Sequence, residues 1–103
     1  MGKRQVKESP VQRGIKETYP YTFTLTGLFP SGTYANATNA LYDSTGAAVA
    51  AWNDGSPSVD ATTFTTSAFN ADVMTAGARY RLYMSMTIDT YVWDWELWID
   101  ARN

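Results

Sequence analysis

From Tyr80 to Ile99 the chain alternates large apolar and polar residues with a period of two, and it changes the parity of that alternation once, at Asp89-Thr90. Successive side chains of a strand point to opposite faces. Tyr80, Leu82, Met84, Met86 and Ile88 therefore share one face of an outgoing strand, and Tyr91, Trp93, Trp95, Leu97 and Ile99 share one face of a returning strand. The two apolar faces coincide only when even residues pair with odd ones. A two-residue loop, Asp89-Thr90, satisfies this and sets Met86 opposite Trp93, Met84 opposite Trp95, Leu82 opposite Leu97 and Arg81 opposite Trp98. A four-residue loop, Asp89 to Val92, moves each partner by two and satisfies it equally. A slip of one residue would turn the whole apolar set outward, so parity is firmly specified while loop length is open. Either way, Trp93 and Trp95 are predicted structural residues of the inner face.

A chain of 103 residues that is 45% hydrophobic, with fifteen aromatic side chains, supports one domain and one core. Cysteine and histidine are both absent. Packing must then do what disulfides do in many small secreted domains, and each aromatic ring can bury roughly 150–250 Å². The composition removes thiolate nucleophiles, imidazole bases and the usual zinc ligands. No phosphate-binding glycine loop is present, and no cofactor is expected. No apolar run approaches the ~20 residues of a membrane helix, and no signal-like apolar run follows the basic start, so a soluble protein without membrane contact is expected.

Residues 1–17 stand apart in charge. Lys3, Arg4, Lys7, Arg13 and Lys16 oppose only Glu8 and Glu17, giving +3, whereas residues 18–103 carry −5. With Pro10 and Gly14 interrupting Val11 and Ile15, no amphipathic helix is expected here. The segment reads as an extended or disordered arm, or as an assembly arm whose five cations reach a neighbouring acidic subunit. Nucleic acid is not the expected partner, because the arm has no aromatic residue to stack on a base and the body repels phosphate.

The domain is expected over residues 18–103. Thr18 to Leu28 reads as a strand with Tyr19, Tyr21, Phe23 and Leu25 on one face, followed by a turn at Phe29-Pro30-Ser31-Gly32. A second strand spans about Tyr34 to Tyr42, and Asp43-Ser44-Thr45-Gly46 turns it back onto Ala47 to Trp52. Its inward face is ambiguous: Leu41 and Val49 favour one side, while Tyr34, Tyr42 and Trp52 favour the other. After the loop Asn53 to Pro57, Val59 to Phe64 and Thr66 to Phe69 give further short strands rich in threonine. About seven short strands with turns every ten residues predict an all-β antiparallel sandwich, with a small barrel as the alternative.

The stretch Met74-Thr75-Ala76-Gly77-Ala78-Arg79-Tyr80-Arg81-Leu82 resembles the loop-to-strand signature of fibronectin type III and related immunoglobulin-like sandwiches, with Ala76 where that pattern usually has proline. The resemblance implies that Gly77 makes the turn and that Tyr80 is a corner tyrosine whose hydroxyl bonds back to upstream main chain. Otherwise Tyr80 is simply the first core residue of its strand. Over about residues 11–101 the chain also resembles small immunoglobulin-like structural proteins of tailed phages. The residues concerned are the Tyr21-Thr22-Phe23-Thr24-Leu25 strand, Leu41-Tyr42-Asp43 with Thr45-Gly46, and the Ala76–Leu82 stretch, with the final alternating strand. This resemblance implies a non-enzymatic virion protein, assembled in the host cytoplasm, whose partners are other virion proteins and copies of itself in a ring or repeated array. It offers no catalytic residue to carry over.

Three features have residue types that could make a site. Asp94 and Glu96 share a strand face about 6.6–6.8 Å apart, near the separation of inverting-glycosidase carboxylates. Acids alternating with buried residues opposite Arg79 and Arg81 equally describe a solvated strand face. Asp43, Asp54, Asp60 and Asp72 are scattered and lack the spacing of a calcium loop. Trp98, with Tyr83 and Val92, falls on the polar face, where it either packs against Arg81 or a loop or joins Arg81 and Tyr83 in a protein-contact patch. A carbohydrate- or ligand-binding module using Trp52, Tyr34 or Trp98 as a sugar platform is the alternative to assembly, and a secreted or cell-surface location the alternative to the virion.

Overall fold

The computed structural model describes residues 4–5, 10–25, 32–60 and 62–103, with the backbone alone described at residues 4 and 5. Lys3, Lys7, the expected strand end at 26–28 and most of the turn at 29–32 lie outside the described residues. Among the described residues ten strand segments run in order: β1 (Arg4–Gln5), β2 (Val11–Gly14), β3 (Thr22–Thr24), β4 (Tyr34–Tyr42), β5 (Asn53–Asp54), β6 (Ser58–Val59), β7 (Thr63–Thr65), β8 (Ala68–Phe69), β9 (Arg79–Ile88) and β10 (Tyr91–Arg102). The described residues contain no helix.

The long hairpin β9–β10 is the centre of the main sheet, in which β4 flanks β9 while β1 and β2 both pair with β10. The register sets Trp93 opposite Met86, Trp95 opposite Met84, Leu97 opposite Leu82 and Trp98 opposite Arg81, which selects the two-residue loop. Asp89 closes that loop at φ 57°, a conformation aspartate adopts more readily than bulkier residues. Its carboxylate and amide also brace the turn, accepting from Thr33 N–H at 3.0 Å and donating to Thr33 O at 2.8 Å.

Two short sheets complete the fold, one ordered β3-β7-β6 and the other pairing β5 with β8. Trp95 projects from the inner face of the main sheet and meets Phe64 and Phe23 edge-on, with centroids 4.9 and 6.2 Å apart. The β3-β7-β6 sheet is thereby packed over that face. Leu82, Met84, Met86, Ile88, Leu97 and Ile99 are buried with Phe64, Phe69, Leu41 and Trp52 in one core, against which Trp93 and Trp95 pack half-buried. Ser67 is a buried polar tie: its N–H donates to Asn39 Oδ1 at 2.7 Å and its Oγ to Gly55 O at 3.1 Å, while Asn39 and Asn53 donate to the Oγ. Each of these groups is satisfied, as a buried polar site requires.

The structure differs from the sequence reading at four places. Both β1 and β2 run parallel to β10, so the main sheet is not wholly antiparallel. Residues 11–14 are extended as expected, but as an edge strand of the sheet rather than outside the domain. Between Tyr34 and Leu41 the pairing with β9 shifts by one residue at the Ala35/Thr38 irregularity, where Asn36 has φ 55°. That bulge puts Tyr34, opposite Ile88, and Leu41, opposite Leu82, on the same inner face, which plain alternation cannot do. Finally, Ala47 to Trp52 forms a bridge at Ala48 and not a full strand, and Trp52 is buried at 5% exposure against Phe69.

Candidate interaction surface

The outer face of β4–β9–β10 gathers three of the residues assigned to protein contact. Arg81 and Tyr83 lie outward on β9, Trp98 lies outward on β10 opposite Arg81, and Tyr42 on β4 is Arg81's other neighbour. All four are half-buried. The guanidinium carbon of Arg81 stands 4.8 Å from the Tyr42 ring centre, and its Nη1 donates to Glu96 Oε2 at 3.0 Å. Arg81 and Glu96 are diagonal neighbours across the strand pair, a spacing long side chains bridge. One step along, the Tyr83 hydroxyl donates to Asp94 Oδ2 at 3.2 Å, and one step back Arg79 grips both Asp100 oxygens at 2.7 and 3.2 Å. The row continues with the Thr38 and Ser85 hydroxyls 2.6 Å apart.

Electrostatics follow from this ladder. Hydrogen bonding to Arg79 holds the Asp100 carboxyl below the usual aspartate value, with Arg79's charge adding to it. Burial, then the Asp94 charge, raises the Tyr83 phenol. The two carboxylates considered for catalysis, Asp94 and Glu96, are thus engaged by Tyr83 and Arg81. Two grooves, of about 470 and 300 Å³, lie beside Ala101–Asn103 and beside Gln12–Gly14. The charges of this face are held in place by one another, so aromatic and cationic groups are presented on a stiff sheet with little rotamer freedom left to lose on contact.

The basic segment behaves differently. Arg13, assigned to partner contact, is 1% exposed and points into the fold, which corrects that assignment. Its guanidinium carbon lies 3.8, 4.4 and 5.0 Å from the ring centres of Phe69, Tyr19 and Tyr21. Nη2 donates to the carbonyls of Glu17 and Tyr19. Three ring faces and two carbonyls thus replace the water a charge would lose. A readable signal exists in Val11-x-Arg13-x-Ile15, where Arg13 occupies an apolar strand's inward position. Lys16 is exposed but is paired with Asp72 of its own chain at 2.9 Å. Arg4 lies in β1 opposite Trp95.

Among the residues assigned structural roles, the Tyr80 hydroxyl accepts from Thr75 N–H at 2.8 Å, five residues upstream. Gly77 adopts φ 88° and donates its N–H to Ala101 O. That main-chain tie fastens the turn before β9 to the end of β10. Of the aromatics considered as a sugar platform, Trp52 is in the core and Tyr34 faces inward, leaving Trp98 on the outer face. Compared with known proteins, the chain matches no family model, no curated protein and no solved structure.

Proposed function

We propose that this chain is a non-enzymatic assembly subunit of a tailed-phage virion, an immunoglobulin-like sandwich in a tail, fibre or head-tail adaptor that works through protein–protein contacts. The observation that carries the contact reading is the outer sheet face on which Trp98 lies opposite Arg81, beside Tyr42 and Tyr83, with Arg81 held by Glu96 and Tyr42, and Tyr83 held by Asp94. Aromatic residues and arginine are the side chains enriched where proteins touch. The virion setting rests on the sequence resemblance of the Tyr21–Leu25, Leu41–Gly46 and Ala76–Leu82 stretches, and the Tyr80 hydroxyl bond to Thr75 agrees with the corner-tyrosine part of it.

Light scattering on the full chain tests this reading. The chain should form a defined species larger than a monomer, and the combined variant Arg81→Ala, Tyr83→Ser, Trp98→Ala should remain folded and lose it. Undiminished association in that variant would overturn the outer face as the contact.

A further inference from the structure

The outward residues of the β9–β10 hairpin fall into five rows, and in every row the two strands present unlike groups. Arg79 is paired with Asp100, Arg81 with Trp98, Tyr83 with Glu96, Ser85 with Asp94 and Thr87 with Val92. Every β9 member of a row carries an N–H or O–H donor, whereas the β10 members are three carboxylates and two large apolar side chains. A donor strand with two arginines thus runs beside an acceptor strand with three acids.

That asymmetry makes the face complementary to itself in one orientation. Stacked sheets lie about 10 Å apart, with strand directions within roughly 30° of each other. A two-fold axis parallel to the strands, midway between β9 and β10, lays β9 of one copy over β10 of the other and keeps the rows in register. Arg79 then meets Asp100, Arg81 meets Trp98, Tyr83 meets Glu96 and Ser85 meets Asp94, each across the interface. A two-fold axis running across the strands at the Tyr83–Glu96 row instead sets Glu96 on Glu96 and Tyr83 on Tyr83. Within each copy Arg79 and Asp100, and Arg81 and Glu96, are already paired, so the face enters a contact with its charges neutralised in pairs. β4, which carries no charged residue, falls over the partner's β2 edge, where Gln12 is outward beside Asp100. Four strand positions about 4.8 Å apart and a length of about 33 Å outline roughly 600 Å² per copy, which reaches the lower end of stable interfaces.

We infer that two copies of this chain pack outer face to outer face about a two-fold axis parallel to the hairpin, β9 of each over β10 of the other. Such a contact is isologous, the same patch serving both copies, and it closes at a dimer. It deepens the proposed assembly function and rests on it, by making the outer face a dimer contact and the dimer the unit that assembles.

The absence of cysteine makes a direct test possible, because chains with one introduced cysteine each cross-link only between molecules. Full-length Ser85→Cys mixed with Asp94→Cys and oxidised at assembling concentration should give the disulfide heterodimer as its main product. Ser85→Cys mixed with Asp100→Cys, three rows away, should give none. Where Asp94→Cys disturbs the fold, Thr87→Cys with Val92→Cys reads the neighbouring row. Same-row mixtures that cross-link no better than the Ser85–Asp100 mixture would overturn the two-fold contact, and a dominant Ser85–Asp100 product would do so in favour of the axis across the strands. If same-row cross-links fail while the Arg81, Tyr83 and Trp98 variant still abolishes association, this geometry falls and the assembly reading stands. If the wild-type chain never associates with itself, the two-fold contact falls and the outer face is left to a different protein.

Discussion

The Arg13 guanidinium lies 3.8 Å from the centre of the Phe69 ring, stacked between elements that are 56 residues apart in sequence. Its Nε and Nη1 make no hydrogen bond, so the rings and the two carbonyls at Nη2 are what stabilise the buried charge. Arg13→Lys keeps the charge but loses the planar stacking, and should cost about 2 kcal/mol or more. Arg13→Met removes the unpaired donors and should cost less than Arg13→Ala, which leaves a cavity worth about 3 kcal/mol or more. Urea unfolding of the three variants checks the order. For the same reason a chain starting at Thr18 should fail to fold stably, since it exposes Phe69 and the β10 edge.

Tyr80→Phe isolates the hydroxyl that receives the Thr75 N–H. The ring stays buried, so the expected loss is that of one satisfied backbone donor, about 1–2 kcal/mol. Hydrogen exchange at the Thr75 amide should accelerate with it; an unchanged Thr75 rate would remove the hydroxyl's structural role.

The bulge in β4 can be tested at Asn36, whose φ of 55° suits glycine and disfavours branched side chains. Asn36→Gly should leave thermal stability within about 0.5 kcal/mol of wild type, with the lost hydrogen bond to Thr87 Oγ1 offset by relief of strain. Asn36→Val should cost about 1–2 kcal/mol.

Alternation located β9 and β10 and paired the hairpin's faces correctly, because each of these strands has one buried side and period-two patterning reports that directly, whereas β4 was bounded by its turns and its inward face stayed ambiguous. It could not choose the loop, which depended on Asp89 taking a left-handed conformation. It also could not place Tyr34 and Leu41 on one face, since a single inserted residue reverses parity without marking the sequence. Arg13 was hidden for a different reason: in a segment of five cations its charge outweighed the inward position it shares with Val11 and Ile15. Trp52 sits among alanines, whose small side chains give no phase. Of the candidate surface, Arg81, Tyr83 and Trp98 followed from parity, whereas Tyr42 required the β4 register.

The pH dependence follows from four carboxylates. Hydrogen bonds from Thr45 hold Asp43 below the ordinary aspartate value, those from Thr62 do so for Asp60, and those from Arg79 for Asp100. Glu17 is held below 4.5 by Tyr19, then by the Gly14 N–H. A carboxyl whose folded pKa is depressed stabilises the fold above its unfolded pKa and loses that contribution as pH falls through the folded value. Stability should therefore hold from neutrality to about pH 5 and decline below about pH 4, and Asp60→Asn should shallow that decline. At the alkaline end, burial raises Tyr21 above 10.0, so its contribution is present below that value and lost as pH climbs through the raised one. Denaturation midpoints from pH 2 to 11 check both limbs.

Where the chain makes its contacts is most directly read by hydroxyl-radical footprinting of the full-length protein, dilute and then at assembling concentration. Oxidation of Trp98 and Tyr83 should fall on assembly, while Tyr19, which is 51% exposed on another part of the surface, keeps its reactivity. If Tyr19 alone is protected and Trp98 reacts equally in both conditions, the outer face of β4–β9–β10 is not the contact surface.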